Sequence, residues 1–495
     1  MSATRAARPA VLGIDLGTSS VKAVVTDGDG RLIGQAVGDY PVDTPRPGWA
    51  ETDPWAWLSA TVSAVRAAVT RSRATPLGIG FSGQMHGIVA TDAAGDPVRP
   101  AMLWPDARAV GQLAAYRRLP APVRARLANP LSPGMAGPLL AWLVEHEPEA
   151  HAATRWALPP KDWLRAQLTG RFATEPTDAS ATLLYDVPGD RFDDEVVAAL
   201  GLDPDRLPAV LPRAAAPAGE LTRRAAELLG LPAGIPVAAG AADVAAAALG
   251  AGLVEPGTAA LTIGTGVQVI RPVAALPEQL PADPITHLYR AATDHGWYAM
   301  GAGLNGGSTL AWVCRTLGVD WPQLYAAAAT EPAADDPIFL PHLHGERTPY
   351  LDTGLRGAWI GLAAHHGREQ LLRAALEGVA FAVRDALEVT LTAQHAAPQL
   401  RLAGGGSTDP GWRQLLADVL DRQIYAVDVP AASALGAATL AARAAGLTDE
   451  PTALAQRVPP VRAAAEPHPQ RVDHYRQRHA RFAALVRAVR GTPPP

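Results

Sequence analysis

The sequence has almost no lysine, almost no cysteine and no long apolar run, and each shortage excludes something. Of 43 basic residues only Lys22 and Lys161 are lysine. Arginine supplies the rest, in a chain rich in alanine, glycine and proline, so the bias reads as codon usage and not as a binding face. The formal net charge is −5, which argues against a nucleic-acid partner, whose phosphates need a basic surface. A lone cysteine, Cys314, excludes an internal disulfide framework and fits a reducing compartment. The longest uncharged apolar run, Val244 to Val254, falls well short of the roughly 20 residues that span a bilayer. Met1 to Ala10 is basic, but no apolar core follows before Asp15, so it does not read as a signal peptide. The expectation is a cytoplasmic protein with neither membrane nor nucleic-acid partner.

What is present is length and apolar content. The chain has 495 residues, 48% hydrophobic and 18% charged, enough for two or three cored domains. Its start reads as strand, turn, strand: Ala10 to Asp15, then Gly17-Thr18-Ser19-Ser20, then Val21 to Thr26, with a third strand over Arg31 to Val37. Trp55 to Thr70 has helical periodicity behind an Asp53-Pro54 start signal. Leu77 to Phe81 is a strand leading into Ser82-Gly83-Gln84-Met85-His86-Gly87. Alternating strands and helices indicate α/β layering. A second start of the same kind lies near the middle: Gly257 to Ile263, the turn Gly264-Thr265-Gly266, then Val267 to Arg271. Two Gly-Thr hairpins suggest a divergent duplication joined near residues 245–255, though two such hairpins also arise by chance. The Thr492 to Pro495 tail reads as frayed.

Several motifs carry chemistry. The turn after Asp15 offers backbone N–H groups and the hydroxyls of Thr18, Ser19 and Ser20 to anionic oxygens. Asp15 itself suits water-mediated Mg²⁺. An ordinary hairpin explains the same residues. Gly264-Thr265-Gly266 would be the other half of a phosphate clamp. Gly404-Gly405-Gly406-Ser407, between a strand at Leu400 to Ala403 and a helix from about Pro410, lets a nucleotide approach backbone and helix N-terminus. It is not a dinucleotide fingerprint, because Asp409 holds the third glycine position; a Walker-type Gly-Lys-Ser/Thr is also missing. Asp243 precedes an alanine-rich helix and fits an N-cap; as a base it would accept a hydroxyl proton late in phosphoryl transfer. His86 fits either a sugar contact or a core histidine. Trp104-Pro105-Asp106 fits an aromatic wall with a carboxylate, or a plain loop. His342, His344, His365 and His366 lack the carboxylate or cysteine spacing of a zinc site.

Taken together, from about Val11 to Gly446, the chain resembles the FGGY carbohydrate kinases. The resemblance rests on Gly13-Ile14-Asp15-Leu16-Gly17-Thr18-Ser19, Ser82 to Gly87, Pro100 to Trp104 with Asp106 and Arg108, and Leu158 to Asp162. It continues through Gly345-Glu346-Arg347-Thr348-Pro349, Gly357 to Glu377, and Gly404-Gly405-Gly406 with Trp412-Arg413-Gln414. It implies two actin-like, ribonuclease-H-like α/β domains, divided as 1–247 and 248–495, closing on ATP, Mg²⁺ and a sugar. It implies Asp243 as base, Asp15 and Asp243 at the metal, and Gln84, Met85, His86, Trp104 and Asp106 around a ketopentose, foremost D-xylulose phosphorylated at its 5-hydroxyl. It further implies Thr18, Ser19, Ser20, Lys22, Gly264, Thr265, Gly307, Gly404, Gly405, Gly406 and Asp409 around the nucleotide. A homodimer is common in the family. The departures gather at the sugar: Pro105 and Val244 stand where the family usually has asparagine, Leu139 where it has lysine, and Gly240-Ala241-Ala242 precedes Asp243 in place of three glycines. They keep ribulose, gluconate or an alditol open as substrate. A non-catalytic, ATP-gated sensor or assembly protein is the alternative from another class.

Overall fold

The computed structural model describes residues 9–391, 399–427, 429–449 and 462–490. The expectations for the first eight residues and for the Thr492–Pro495 tail fall outside them. β1 (Ala10–Leu16), β2 (Ser20–Asp27) and β3 (Leu32–Asp39) form an antiparallel meander. α1 (Pro54–Ser72) starts as its sequence signals: the Asp53 side chain accepts from Trp55 N–H and Pro54 fills the first helical position. β4 (Pro76–Gly83) then runs parallel to β1. After a long excursion that includes α2 (Pro160–Thr169), the chain adds β5 (Pro217–Glu220), β6 (Pro236–Ala238), β7 (Ala241–Ala242) and α3 (Asp243–Gly250). The strand order is β5-β6-β4-β1-β2-β3, with β7 also on β4.

The second half repeats this plan. It comprises β8 (Thr258–Ile263), β9 (Val267–Val273), β10 (His287–Arg290), β11 (Trp297–Gly303), α4 (Gly307–Leu317), α5 (Arg368–Thr390), β12 (Gln399–Ala403), α6 (Pro410–Leu420), β13 (Ile424–Ala426), α7 (Ala432–Ala444), β14 (Arg462–Ala465) and α8 (Pro469–Val489). Its sheet runs β10-β11-β9-β8-β12-β13-β14. The six strands β3-β2-β1-β4-β6-β5 correspond to β11-β9-β8-β12-β13-β14, with the same parallel and antiparallel sense at every step. The long helices α1 and α5 occupy the same place in each plan. The duplication read from two Gly-Thr turns is therefore a duplication of whole sheets.

Both faces of each sheet are covered, which is why β1 reads as an unbroken apolar run. Leu12, Ile14 and Leu16 join a core with Trp57 and Phe81, while Val11 on the other face meets Ala434, Ala438 and Ala441 of α7. α7 belongs to the second half of the chain yet lies across β1 and β4 of the first sheet and against α3. Glycines permit that contact. A Cβ on Gly80 would overlap the Ala437 carbonyl oxygen, and one on Gly436 the Ala246 carbonyl oxygen. Among the described residues no helix is long and apolar enough to cross a membrane.

Candidate active site

The carboxyl ends of parallel strands are where α/β sheets present ligand-binding groups. Register brings three of them level: Asp15 of β1 and Ala241 of β7 both pair with Ser82 of β4. Ser82 Oγ donates to Asp15 Oδ1 at 2.8 Å. One residue past β7 comes Asp243. It is the first residue of α3; the cap position is Ala242, so the side chain is not an N-cap, and Val244 N–H donates to its Oδ1 at 2.7 Å. Asp243 sits deep but keeps solvent access. Burial first, and the like charge of Asp15 second, push its pKa up to about 7. Burial also raises Asp15, against the Ser82 hydrogen bond and nearby Lys22. Two close carboxylates that each resist ionisation are a donor set suited to a hard divalent cation.

The first hairpin is braced from outside. Gly17 N–H closes the turn on Ser20 O at 2.9 Å, and the Gly17 carbonyl accepts from Tyr40 Oη at 2.6 Å and Gln84 Nε2 at 3.1 Å. Trp104 Nε1 donates to Thr18 Oγ1 at 3.0 Å. Ser19 is exposed, Thr18 and Ser20 half-buried, and Lys22 pairs in register with Asp15. Gln84, expected at the sugar, thus spends its amide N–H on the hairpin. Among the described residues its buried Oε1 has no partner.

In the second half, Gly264, Thr265 and Gly307 form one unit. Gly307 N–H donates to Gly264 O at 2.8 Å and Ser308 N–H to Thr265 O at 3.0 Å. Gly404 leaves β12 at φ +90°, where a Cβ would meet Ile263 O at 2.7 Å, while Gly405 faces open space. The hairpin and the Gly404–Gly406 turn lie at adjacent strand ends, since Thr262 pairs with Ala403. Asp409 departs from expectation: its Oδ1 accepts from Trp412 N–H at 2.9 Å and caps α6.

Around the expected sugar, Met85 is buried under Tyr298, whose Oη lies 3.9 Å from its sulfur. His86 holds φ +75°, a conformation rare outside glycine that the surrounding structure must enforce. Its Nδ1 donates to Ala181 O at 2.8 Å, which leaves Nε2 as acceptor. Burial pulls its pKa down to about 4, so the ring is neutral. Trp104 stays partly exposed, but Asp106 corrects the expected carboxylate wall. Asp106 is buried, accepts from Ala50 N–H at 2.8 Å and is gripped by the Arg108 guanidinium, its Nη2 at 2.7 Å. With its oxygens occupied, Asp106 supports the loop and is not free to meet a sugar.

Two residues gain roles that sequence reading left blank or open. Arg347, quoted above only as part of a matching motif, reaches to 6.0 Å from the Trp104 ring. Lys161 is wholly buried, with Nζ 2.7 Å from Asp162, 2.9 Å from Asp178 and 3.2 Å from Glu175. Burial lowers its pKa, but the three carboxylates outweigh it and hold the ammonium charged. The cluster reaches β7: Thr177 Oγ1 donates to Glu175 at 2.6 Å and accepts from Ala242 N–H at 2.7 Å, one residue before Asp243. Among the histidines, the fold supplies the carboxylate that spacing did not show: Asp335 lies 3.0 Å from His365 and 4.0 Å from His366. Ala363 N–H donates to His366 Nδ1, so a neutral His366 carries its proton on Nε2, the atom that faces Asp335. That tautomer is wrong for a metal ligand.

Two like-built α/β halves, each with a glycine hairpin at the carboxyl end of its central strand and paired carboxylates in the first, suit a phosphoryl-transfer enzyme. The chain belongs to the FGGY family of carbohydrate kinases: the family's N-terminal domain matches residues 10–250 and its C-terminal domain residues 259–445. It is a sugar kinase. It is 34% identical to the xylulose kinase of Escherichia coli (strain K12) over 485 residues, 97% of this chain and 99% of that one. With the xylulose kinase of Streptomyces rubiginosus it shares 36% over 463 residues, 91% and 90% of the two chains. Among solved structures, a xyloylose kinase from Brucella ovis matches with TM-score 0.90 at 34% identity, covering 97% of this chain and 99% of that one.

Proposed function

We propose that the enzyme transfers the γ-phosphoryl group of ATP to the 5-hydroxyl of D-xylulose, with Asp243 as general base. In this reading residues 1–247 bind the sugar and carry the base, and residues 248–495 hold the nucleotide, α7 excepted. The observation that carries the chemistry is Asp243 itself: a solvent-reachable carboxylate beside Asp15, at neighbouring strand ends of one sheet, with its pKa pushed up to about 7. A base with that affinity accepts a proton near neutral pH as the hydroxyl oxygen attacks phosphorus. The support for the sugar is the run of similar enzymes named xylulose kinase.

Asp15 and Asp243 would hold Mg²⁺, which when bound supplies positive charge to the phosphate oxygens. Thr18, Ser20 and the N–H groups of the first hairpin orient the transferred phosphoryl group, and Gly264, Thr265 and Gly307 hold the far side. Met85 and the unprotonated Nε2 of His86 orient the sugar. Val244, apolar and half-buried beside the base, favours a second reading in which another polyol, ketose or sugar acid is the better substrate. A coupled ADP-release assay across D-xylulose, D-ribulose, D-gluconate and xylitol decides. The highest kcat/KM is expected for D-xylulose; a higher value for any other member overturns the sugar assignment.

A further inference from the structure

The turn that delivers Asp243 is short of acceptors. β7 is two residues long, Ala242 is the cap residue of α3, and Ala245 stands at the third helical position. A helix start commonly satisfies its first N–H groups from a cap side chain and from a glutamate or glutamine at that third position, which reaches back to the N–H of the cap residue. Two alanines offer neither. From Ala242 to Ala245 the one side chain with acceptor atoms is the carboxylate of Asp243 itself, and its Oδ1 already takes the Val244 N–H at 2.7 Å.

The missing acceptor comes from 65 residues earlier in the chain: Thr177 Oγ1 accepts from Ala242 N–H at 2.7 Å, and both residues are buried. Its direction is fixed. Thr177 Oγ1 lies 2.6 Å from Glu175 Oε1. A carboxylate only accepts, so the hydroxyl proton points at Glu175 and a lone pair at Ala242. Glu175 is held in turn by Thr177 N–H at 2.8 Å, Asp178 N–H at 3.1 Å and Lys161 Nζ at 3.2 Å. On the other side of the turn Ala242 pairs with Gly83 of β4, where a Cβ would come 2.7 Å from the Lys161 Cβ. Lys161 thus backs both walls of the turn. The far end of the Glu175–Ala181 segment serves other partners. Ala181 O accepts from His86 Nδ1 at 2.8 Å, and Ser180 Oγ accepts from Arg290 N–H of the second half at 3.0 Å. Neither contact uses the Thr177 side chain.

We propose that Thr177 is a positioning residue for the transfer step: its hydroxyl, oriented by Glu175, holds the Ala242 N–H and thereby fixes the turn that aims the Asp243 carboxylate at the attacking hydroxyl of the sugar. The proposal rests on the reading of Asp243 as the general base. Valine in place of Thr177 keeps the shape but leaves the buried Ala242 N–H without its acceptor, a cost that favours a shifted turn. The Ala181 carbonyl still meets His86, and the glycine loops read as nucleotide-binding lie in the other half. The loss therefore falls on kcat and spares KM for sugar and for ATP.

The test is a double-mutant cycle on the full chain with D-xylulose and MgATP. Thr177→Val is made alone and together with Asp243→Asn, beside Thr177→Ser, which keeps the hydroxyl. Thr154→Val is the control for plain destabilisation, since it removes a buried hydroxyl that donates to Ala150 O at 2.7 Å. Thr177→Val is expected to lower kcat by about 10–100-fold, the scale of a misplaced reacting group, with both KM values near wild type. Thr177→Ser is expected to restore kcat, and Thr154→Val to lower Tm without touching kcat. In the Asp243→Asn background Thr177→Val is expected to cost no further turnover, because a residue that acts through the base has nothing left to position. An unchanged kcat in Thr177→Val, an equal loss in Thr177→Ser or Thr154→Val, the same fold-loss in both backgrounds, or a change confined to KM overturns the proposal. Should Thr177→Val fail to fold, the same cycle is read from Thr177→Ala. Full turnover by Asp243→Asn alone overturns the base reading itself; a crippled Asp243→Asn with an indifferent Thr177 overturns only this inference.

Discussion

The two hairpins share a backbone and differ in chemistry. In the first, the residue two before the turn glycine is Asp15, which pairs with Lys22 on one side and Ser82 on the other. In the second, the same place is Thr262, between Gln268 and Ala403. One duplicated framework thus presents a carboxylate, a hydroxyl and an ammonium at one end of the cleft, and uncharged groups with bare glycine backbone at the other. β7, which follows β6 and delivers Asp243, adds the second carboxylate to the charged end alone. A repeated sheet solves the problem of holding a polyanion from two sides, and a few side chains decide which side does the chemistry.

The sharpest way to break this division is Asp243→Asn. Turnover is expected to drop by about 10²–10⁴-fold, the usual contribution of a general base, in the ADP-release assay, while ADP affinity by calorimetry stays near wild type. Gly404→Ala acts on the other side. With φ +90° and Ile263 O in the way, it should raise KM for ATP and leave KM for the sugar unchanged. Lys161→Arg examines the support beneath the charged end. A planar guanidinium cannot point at three carboxylates as a compact ammonium does, and breaking a buried ion pair costs about 3–5 kcal/mol. A lower Tm is expected, whereas Lys22→Arg, whose side chain is only half-buried, should leave Tm unchanged.

A smaller effect follows from linkage. An unfolded aspartate ionises near pH ~3.9, whereas folded Asp243 does so at about 7. Between these values the folded state binds the extra proton, so this group's contribution to stability falls as pH rises through that window. Asp243→Asn should therefore raise Tm more at pH 8 than at pH 5; equal shifts would contradict the assignment. The smallest expected effect is Val244→Asn, a several-fold gain in kcat/KM for D-xylulose through a restored polar contact; no change on any sugar would show that position 244 does not read the substrate.

The local architecture was legible where a side chain or turn announces it. Asp53-Pro54 marked the start of α1, Gly17 and Gly264 marked both hairpins, and the α6 bounds followed from Pro410. What was illegible depended on distant partners. No periodicity says that α7 packs on the sheet of the other half, because the cause is the absence of side chains at Gly80 and Gly436. Asp106 read as a sugar contact until the fold set it against Arg108 and Ala50. Arg347 lies more than 240 residues from Trp104 in sequence, and only the packing of the two halves brings them together. The two lysines, first a sign of codon bias, separate in the structure: Lys161 has three buried carboxylates to satisfy, and Lys22 faces Asp15 across a hairpin.

The most direct test of the division between a proton-accepting half and a nucleotide-holding half is the pH dependence of kcat, measured with saturating sugar and MgATP and compared with ADP affinity over the same range. kcat is predicted to fall with pH as Asp243 takes up its proton, at a pH that bound Mg²⁺ holds below the value of about 7 of the metal-free site, while ADP affinity stays flat. A kcat that holds level down to pH ~5, or one that falls in step with ADP affinity, would contradict it.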